Sequence, residues 1–370
     1  MIWISDDTVQ HLQSLATDQD RASQRYRMLR TIGQGGMATV YAAEDVELGR
    51  EVALKVIKHH AFARDSIARM LREARIIAGL EHPGIVPVHD VGMLADGRVF
   101  YVMKLVRGRR LDEHVATVNA LRDRLRLFER ICETTAFAHA HGVIHRDLKP
   151  QNIMVGPFGE VLILDWGVAK VLHESTPTND SPVVHKMEAT TTDRAIHDDP
   201  GLTTHTRDTA IGTIIGTPAY MAPEQSRGDL DSVDQRSDIY ALGAVLYFLL
   251  TGRPPRYEGA NENPNDDYPR ILSSPRRLDR SIPQPIQAVC LRAMAHSPWQ
   301  RYDKAADLAD EVARFLNGEP VRAYREGLLE RFGRFARKYR TAIVLVLAYL
   351  IMRIALFFIT SSNGSNPNVE

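Results

Sequence analysis

The sequence predicts an α+β protein built in two lobes, a small β-rich lobe with one helix and a larger, mainly helical lobe, followed by an apolar helix near its C-terminal end. Three observations predict this. From Arg25 onward, short β-like runs ("YRMLRTIGQGG", "ATVYAAED", "EVALKVIKH", "GIVPVHDVG", "RVFYVMKLV") surround one stretch of helical apolar spacing, "DSIARMLREARIIAGL". After Gly108 the pattern changes to long amphipathic helices such as "RLRLFERICETTAFAHAHG", interrupted by short strand pairs near "IMVGPFGEVLILD". Residues 341–360, "TAIVLVLAYLIMRIALFFIT", are almost wholly apolar over the ~20 residues that suffice to span a bilayer.

Residues 1–24 are polar, with a weak helical spacing at Val9, Leu12 and Leu15, and read as an extension outside the core. They lack a basic start and a long apolar run, so no signal peptide is expected and the amino-terminal side stays in the cytoplasm. The main domain covers 25–316, with its small lobe over 25–104 and its large lobe over 105–316. Within the large lobe, about 171–210 turns polar and predicts a mobile loop insert. The histidines of this insert, His173, His185, His197 and His205, lack tight metal-ligand spacing and read as part of a solvated loop.

At 370 residues the chain can bury a large core, and its composition is that of a folded enzyme. Lys+Arg and Asp+Glu balance at 46 each, so overall charge gives no argument for a nucleic-acid partner, and none is expected. Cys132 and Cys290 stand alone among apolar residues, which excludes a disulfide framework or a cysteine zinc site and leaves core packing.

Residues 317–340 form a basic juxtamembrane segment, residues 341–360 a transmembrane helix and residues 361–370 a short tail. Arg353 lies past the midpoint of the apolar run and can snorkel outward. Arg331, Arg334, Arg337, Lys338 and Arg340 precede the run, while "SSNGSNPNVE" after it has no positive charge, so the positive-inside rule predicts a single-pass protein with its main domain in the cytoplasm. So short a tail leaves no external ligand domain, and sensing is expected from lipid, a partner subunit or the insert. The span is a candidate surface for a homodimer, although it contains no GxxxG.

Glycines let a loop approach phosphate with backbone N–H donors and no side chain in the way. "IGQGGMATVY" offers Gly33, Gly35 and Gly36, with Ala38 where a GxGxxG pattern would have its third glycine. This loop leads into a strand, unlike a dinucleotide-binding turn, and no Gly-Lys-Ser/Thr follows, so what fits is a glycine loop between antiparallel strands folded over a nucleotide, with Val40 packing on the base. Lys55 in "VALKVIK" lies among apolar neighbours and needs a partner, which Glu73 of "REARIIAGL" supplies.

The strongest signal is "VIHRDLKPQNIMV". Asp147 can accept a proton from an attacking hydroxyl, Lys149 can neutralise a moving phosphoryl group, and Asn152 and Asp165 offer hard oxygen ligands to Mg²⁺. A base, a cation and two metal ligands are what phosphoryl transfer needs from a protein. His139, His141 and His145 look superficially like a metal cluster, but His145 belongs to this loop and the other two fall at a helix end.

With these residues in order, the chain resembles the eukaryotic-like, or Hanks-type, serine/threonine protein kinases, and in particular their bacterial membrane-anchored branch. The resemblance runs from about Tyr26 to Leu316 and rests on "GQGGMATVY", "VALKVIK", "REARI", "HRDLKPQN", "DWG", "GTPAYMAPE" and "SDIYALGAVLYFLLTGRPP". It implies the two-lobed protein kinase fold, ATP in the cleft with Mg²⁺ or Mn²⁺, and transfer of the γ-phosphoryl group to Ser/Thr hydroxyls of proteins. The catalytic set implied is Asp147, Lys149, Lys55, Glu73 and Thr217, with Asn152 and Asp165 on the metal. The implied nucleotide site is Ile32, Gly33, Gln34, Gly35, Gly36, Val40, Ala53, Lys55, Met103, Lys104 and Val106, Met103 being the gatekeeper. Glu224 is expected to pair with Arg301, and Asp238 to brace the catalytic loop. Arg146 beside Asp147 implies pairing with a phosphothreonine, for which Thr206, Thr209 and Thr213 are candidates for autophosphorylation. The sequence departs from the family at Trp166, where phenylalanine is usual; the metal demand falls on Asp165, so an active enzyme is expected over the alternative, a pseudokinase scaffold.

Overall fold

The computed structural model describes residues 25–58, 64–166, 170–171, 218–228, 232–255, 257–258, 271–327, 331 and 339–363. Residues 1–24, Gly167, the three candidate threonines, Thr217 and most of the insert lie outside the described residues.

The small lobe is an antiparallel sheet of β1 (Tyr26–Gln34), β2 (Ala38–Asp45), β3 (Arg50–Ile57), β4 (Val88–Met93) and β5 (Val99–Lys104), in the order β1-β2-β3-β5-β4. Side chains alternate across a strand with period two, and the two faces have separate cores. Leu54, Val56, Phe100 and Val102 pack on one face with Tyr26 and Leu94. Ile57, Val99 and Tyr101 pack on the other with Met70, Leu71 and Ala74 of helix α1 (Arg64–Ala78). Lys55, two residues before Ile57, therefore projects on the α1 face. On α1 the buried positions are Met70, Leu71, Glu73, Ala74 and Ile77, a helical stripe with one carboxylate inside it.

The large lobe follows a short strand β6 (Arg109–Arg110) and a helical turn α2 (Leu111–His114). Helix α3 (Leu121–Ala140) ends at the catalytic-loop region, which begins with β7 (Val143–Ile144) and continues into the hairpin of β8 (Ile153–Val155) and β9 (Val161–Ile163). β10 (Lys170–Val171) pairs with β7, and the turn α4 (Pro223–Ser226) precedes α5 (Gln235–Thr251). Every residue of α5 from Ser237 to Leu250 is buried, as expected of a helix that is apolar all round. Its start is capped by the Asp234 side chain, which accepts from the Arg236 N–H at 2.7 Å, and its end by Gly252 at φ 70°, a left-handed conformation that glycine adopts without strain. The strand pair β11 (Tyr257–Glu258) and β12 (Ile271–Leu272) follows, then α6 (Pro275–Leu278), α7 (Gln284–Ala293) and α8 (Ala305–Leu316). α3 and α7 pack on the central helix, α8 packs on α3 and α7, and all four contribute to the main core. Cys132 and Cys290 are both buried in that core, and burial pushes both thiols up.

The C-terminal apolar run is helical, α9 (Arg340–Asn363). Among the described residues, however, no helix is long and apolar enough to cross a membrane. The run from Val344 to Leu356 on α9 is exposed throughout. It includes Arg353, whose guanidinium donates to the Tyr349 hydroxyl at 3.2 Å.

Candidate active site

Two buried carboxylates organise the cleft between the lobes. The first is Glu73. Lys55 on β3 stands directly opposite Tyr101 on β5, so both side chains rise on the face that meets α1. The Lys55 ammonium donates to Glu73 Oε1 at 2.7 Å and to Asp165 Oδ1 at 3.3 Å, which joins the small lobe to the large one. Burial works against the Lys55 charge, but the Tyr101 oxygen and the carboxylates of Glu73 and Asp165 outweigh it and raise its pKa.

Asp165 is exposed to the cleft, with a side chain 56% accessible. Burial of its surroundings works to raise its pKa, but Lys55, His145 and Lys149 hold the carboxyl below the ordinary range. The hairpin explains why Asp165 meets Asn152. Register Ile153↔Ile163 in β8 and β9 lays the residues before β8 beside those after β9, and the Leu164 N–H donates to the Asn152 carbonyl at 2.7 Å. Positions thirteen apart in sequence thus become neighbours.

The second carboxylate is Asp238, 1% exposed on α5. Its Oδ2 accepts from the His145 N–H and the His139 Nε2 and its Oδ1 from the Arg146 N–H, each at 2.8 Å. Burial pushes its pKa up, but the hydrogen bond from His139 and the nearby His145 bring it below the ordinary value. This fixes the loop that carries Asp147. The Asp147 carboxylate accepts from Lys149 Nζ at 2.6 Å and from Asn152 Nδ2 at 3.0 Å, and Asn152 Nδ2 also donates to the Asp147 carbonyl at 2.8 Å. With its NH₂ committed, the Asn152 amide has its oxygen left for a cation. His145 ties the loop to the strand beside it, through Leu164 O at 3.0 Å and a tilted contact with the Trp166 ring at 4.6 Å. Trp166 is 2% exposed and belongs to the main buried core, against the His145 ring of the catalytic loop.

Among the described residues, the non-glycine positions in the left-handed region are Arg146 at φ 70° and Asp165 at φ 59°, both in this site. Such backbone is held only where neighbours over-determine it. For Arg146 those neighbours are Asp238 on its N–H and Gln225 Nε2 on its carbonyl at 3.0 Å. Its Nε is buried without a hydrogen-bond partner among the described residues, and burial lowers its pKa.

The glycine loop lies above this cleft at the β1–β2 turn. Gly33 pairs with Val40 and the Gly35 N–H donates to Ala38 O at 2.9 Å. A methyl group added at Gly36 would meet nothing within 4 Å, and one at Gly35 only Ala38 O at 3.6 Å. The protein's own packing therefore does not demand glycine there; a ligand occupying the space would. Ala53 stands opposite Met103, and Lys104 donates its N–H to Pro87 O at 3.2 Å at the end of β5. Ile32 is exposed on β1.

Glu224 and Arg301 form a buried bidentate pair at 2.7 and 2.9 Å, and Ser237 Oγ donates to the same Glu224 at 2.7 Å. Burial works to raise the Glu224 pKa, but Arg301 brings it below the ordinary value. Among the described residues no three His, Cys, Asp or Glu side chains cluster as a metal site of their own. His139, read from sequence only as a residue at a helix end, is a partner of Asp238.

Sequence reasoning missed Tyr101. Its hydroxyl donates to Glu73 Oε1 at 2.9 Å, the same oxygen that accepts from Lys55. The available signal was its place two residues before Met103, which puts a polar tip on the inward face of β5.

The sequence of residues 26–195 matches the model of the protein kinase domain. The chain is 35% identical over 309 residues to the serine/threonine-protein kinase PrkC of Bacillus subtilis, covering 82% of this chain and 42% of that protein. It is 36% identical over 316 residues to the serine/threonine-protein kinase PknD of Chlamydia felis, covering 80% of this chain and 32% of that protein. The chain thus spans about a third to two fifths of the length of these relatives. In structure it is similar to the PknI kinase domain of Mycobacterium tuberculosis, with a TM-score of 0.55 at 24% identity over 80% of this chain and 96% of that one.

Proposed function

The chain carries a serine/threonine protein kinase domain of the bacterial Hanks type, and from that premise we propose that it transfers the γ-phosphoryl group of ATP to Ser/Thr hydroxyls of proteins. The observation that carries this is the single ammonium of Lys55 bonded at once to Glu73 of the small lobe and Asp165 of the large one. A protein kinase needs that lysine–glutamate pair and the metal-binding aspartate in place together.

The residues present fit ATP and a divalent cation, Mg²⁺ or Mn²⁺. Asn152 and Asp165 would hold the metal as hard oxygen ligands, and the loop of Gly33, Gln34, Gly35 and Gly36 with Lys55 would hold phosphates. Ile32, Val40, Ala53 and Met103 would enclose the base, with backbone groups of Lys104 and Val106 on its edge. The bound nucleotide and metal supply the transferable group and much of the charge neutralisation. Asp147 positions the substrate hydroxyl and accepts its proton at a carboxylate oxygen, while Lys149 offsets the negative charge that develops nearby. Thr217 would take part in recognising the hydroxyl, and Thr206, Thr209 or Thr213, once phosphorylated, would pair with Arg146.

A pseudokinase scaffold would have no need of Lys55, Glu73, Asp147, Asn152 and Asp165 as a set, and all five are present. The test is phosphate transfer to a generic basic protein and to the chain itself, with Mg²⁺ and with Mn²⁺. Asp147→Ala and Asp165→Asn should each reduce it by about 10²–10⁴-fold; equal silence of wild type and variants would turn the reading to the scaffold.

Membrane anchoring through residues 341–360, with the kinase domain cytoplasmic, belongs to the same proposal. It is supported by the apolar sequence and by the basic residues preceding it. The full chain should pellet with membranes and resist salt extraction while a chain ending at Gly318 stays in solution; recovery of both in solution would exclude it. Self-association through this span is the partner interaction that sedimentation in detergent would test.

A further inference from the structure

We infer that Tyr101 is a positioning residue, whose buried hydroxyl holds Glu73, and with it α1, in the position where Glu73 meets Lys55. The inference rests on the phosphotransfer reading of the site above. Lys55 and Tyr101 are cross-strand partners on β3 and β5, and both reach one atom, Glu73 Oε1, at 2.7 and 2.9 Å. The ammonium lies 5.7 Å from the centre of the Tyr101 ring, so ring, cation and carboxylate form one closed group.

The ring and the hydroxyl contribute differently. The ring is 2% exposed and packs with Ile57, Met70, Leu71 and Ala74, with Met103 against the same cluster. An aliphatic side chain would serve that packing equally. The hydroxyl adds a directional bond to a carboxylate, among the stronger hydrogen bonds a protein makes. Burial raises its pKa, so it remains a donor.

The bond opposes displacement of α1 from the sheet. If α1 moved outward, Glu73 would leave and a buried phenol O–H would lose its acceptor, which costs more than the bond itself contributes. Lys55 would retain Asp165, so the lysine alone holds α1 less firmly. Tyr101 therefore opposes outward movement of α1 independently of nucleotide.

The test is hydrogen exchange of the α1 amides in the nucleotide-free full chain, with kcat and the KM for ATP measured in parallel. Tyr101→Phe should speed α1 exchange about tenfold, as the loss of one hydrogen bond to a charged group implies, and lower kcat with little change in KM. Glu73→Ala, which removes the acceptor and leaves the Tyr101 ring in place, should speed the same amides, and adding Tyr101→Phe to it should change them no further. Wild-type exchange in Tyr101→Phe, or an equal acceleration on both backgrounds, would overturn the inference and leave only packing. The exchange comparison decides even for a chain that transfers no phosphate, which separates failure of this inference from failure of the kinase reading.

Discussion

Glu73 and Asp238 are both buried carboxylates that organise the cleft, yet they are held in opposite ways. Asp238 sits on the fully buried α5 and receives two backbone N–H groups of the catalytic loop together with the His139 ring. Glu73 sits on α1, in the small lobe, and receives two side chains, Lys55 and Tyr101. A backbone donor cannot rotate away from its acceptor without unfolding its loop, whereas a side-chain donor can change rotamer. The first arrangement fixes the base for the life of the fold, and the second can be made and broken. The site proposed for phosphotransfer thus joins a permanent half to an adjustable half, and Lys55–Asp165 is the bond between them.

The largest effect that would break this comparison is on the permanent side. Asp238→Ala leaves buried donors of His145, Arg146 and His139 without an acceptor, and should cost at least about 3 kcal/mol of unfolding free energy in denaturant titrations, at ~1–3 kcal/mol per orphaned group. On the adjustable side, Glu73→Gln should lower kcat/KM by roughly 10²-fold through misplacement of Lys55, while unfolding free energy falls by less than for Asp238→Ala, because the amide oxygen still accepts from Tyr101 and Lys55 retains Asp165. If both substitutions unfolded the protein to the same degree, the division into permanent and adjustable halves would be wrong.

Acid should separate the halves further. Asp238 and Glu224 have pKa values depressed from 3.8 and 4.5 by His139 and Arg301. A depressed carboxyl contributes stability that is full above its unfolded pKa and is lost as pH falls through the lower folded value. Melting temperature should therefore hold from pH 7 to about 5 and decline below 4.5, with a shallower decline in Asp238→Asn, as followed by circular dichroism. The smallest effect is expected from Trp166→Phe. Its ring fills an apolar slot and its Nε1–H makes a long 3.4 Å contact with Ile163 O, so the loss should be about 1 kcal/mol in melts, with activity retained in the transfer assay.

How much of this was legible in the sequence depended on how locally each feature is encoded. The glycine loop, the lysine strand and "HRDLKPQN" are contiguous, and their residue types alone state the chemistry. The pair Lys55–Glu73 could be anticipated because a buried charge must find a partner, and Glu224–Arg301 because the family resemblance implies it. The pair Tyr101–Glu73 was not legible, because a buried tyrosine hydroxyl implies some acceptor but its position in the sequence does not say which. The apolar run at 341–360 was legible as a helix, and α9 is one, but a crossing of the membrane is a property of helix and surroundings together.

By itself the sequence determined which groups are available: a base, two lysines, two hard oxygen ligands, and the strand and helix periods that carry them. The tertiary structure decided which of them meet. Register between β3 and β5 set Tyr101 opposite Lys55, the β8–β9 hairpin laid Asn152 beside the residues leading to Asp165, and the burial of α5 put Asp238 under the catalytic loop. Those contacts join residues from 12 positions apart, Asn152 and Leu164, to 93, His145 and Asp238. Their formation depends on the packing of whole faces, and no short stretch of sequence encodes that.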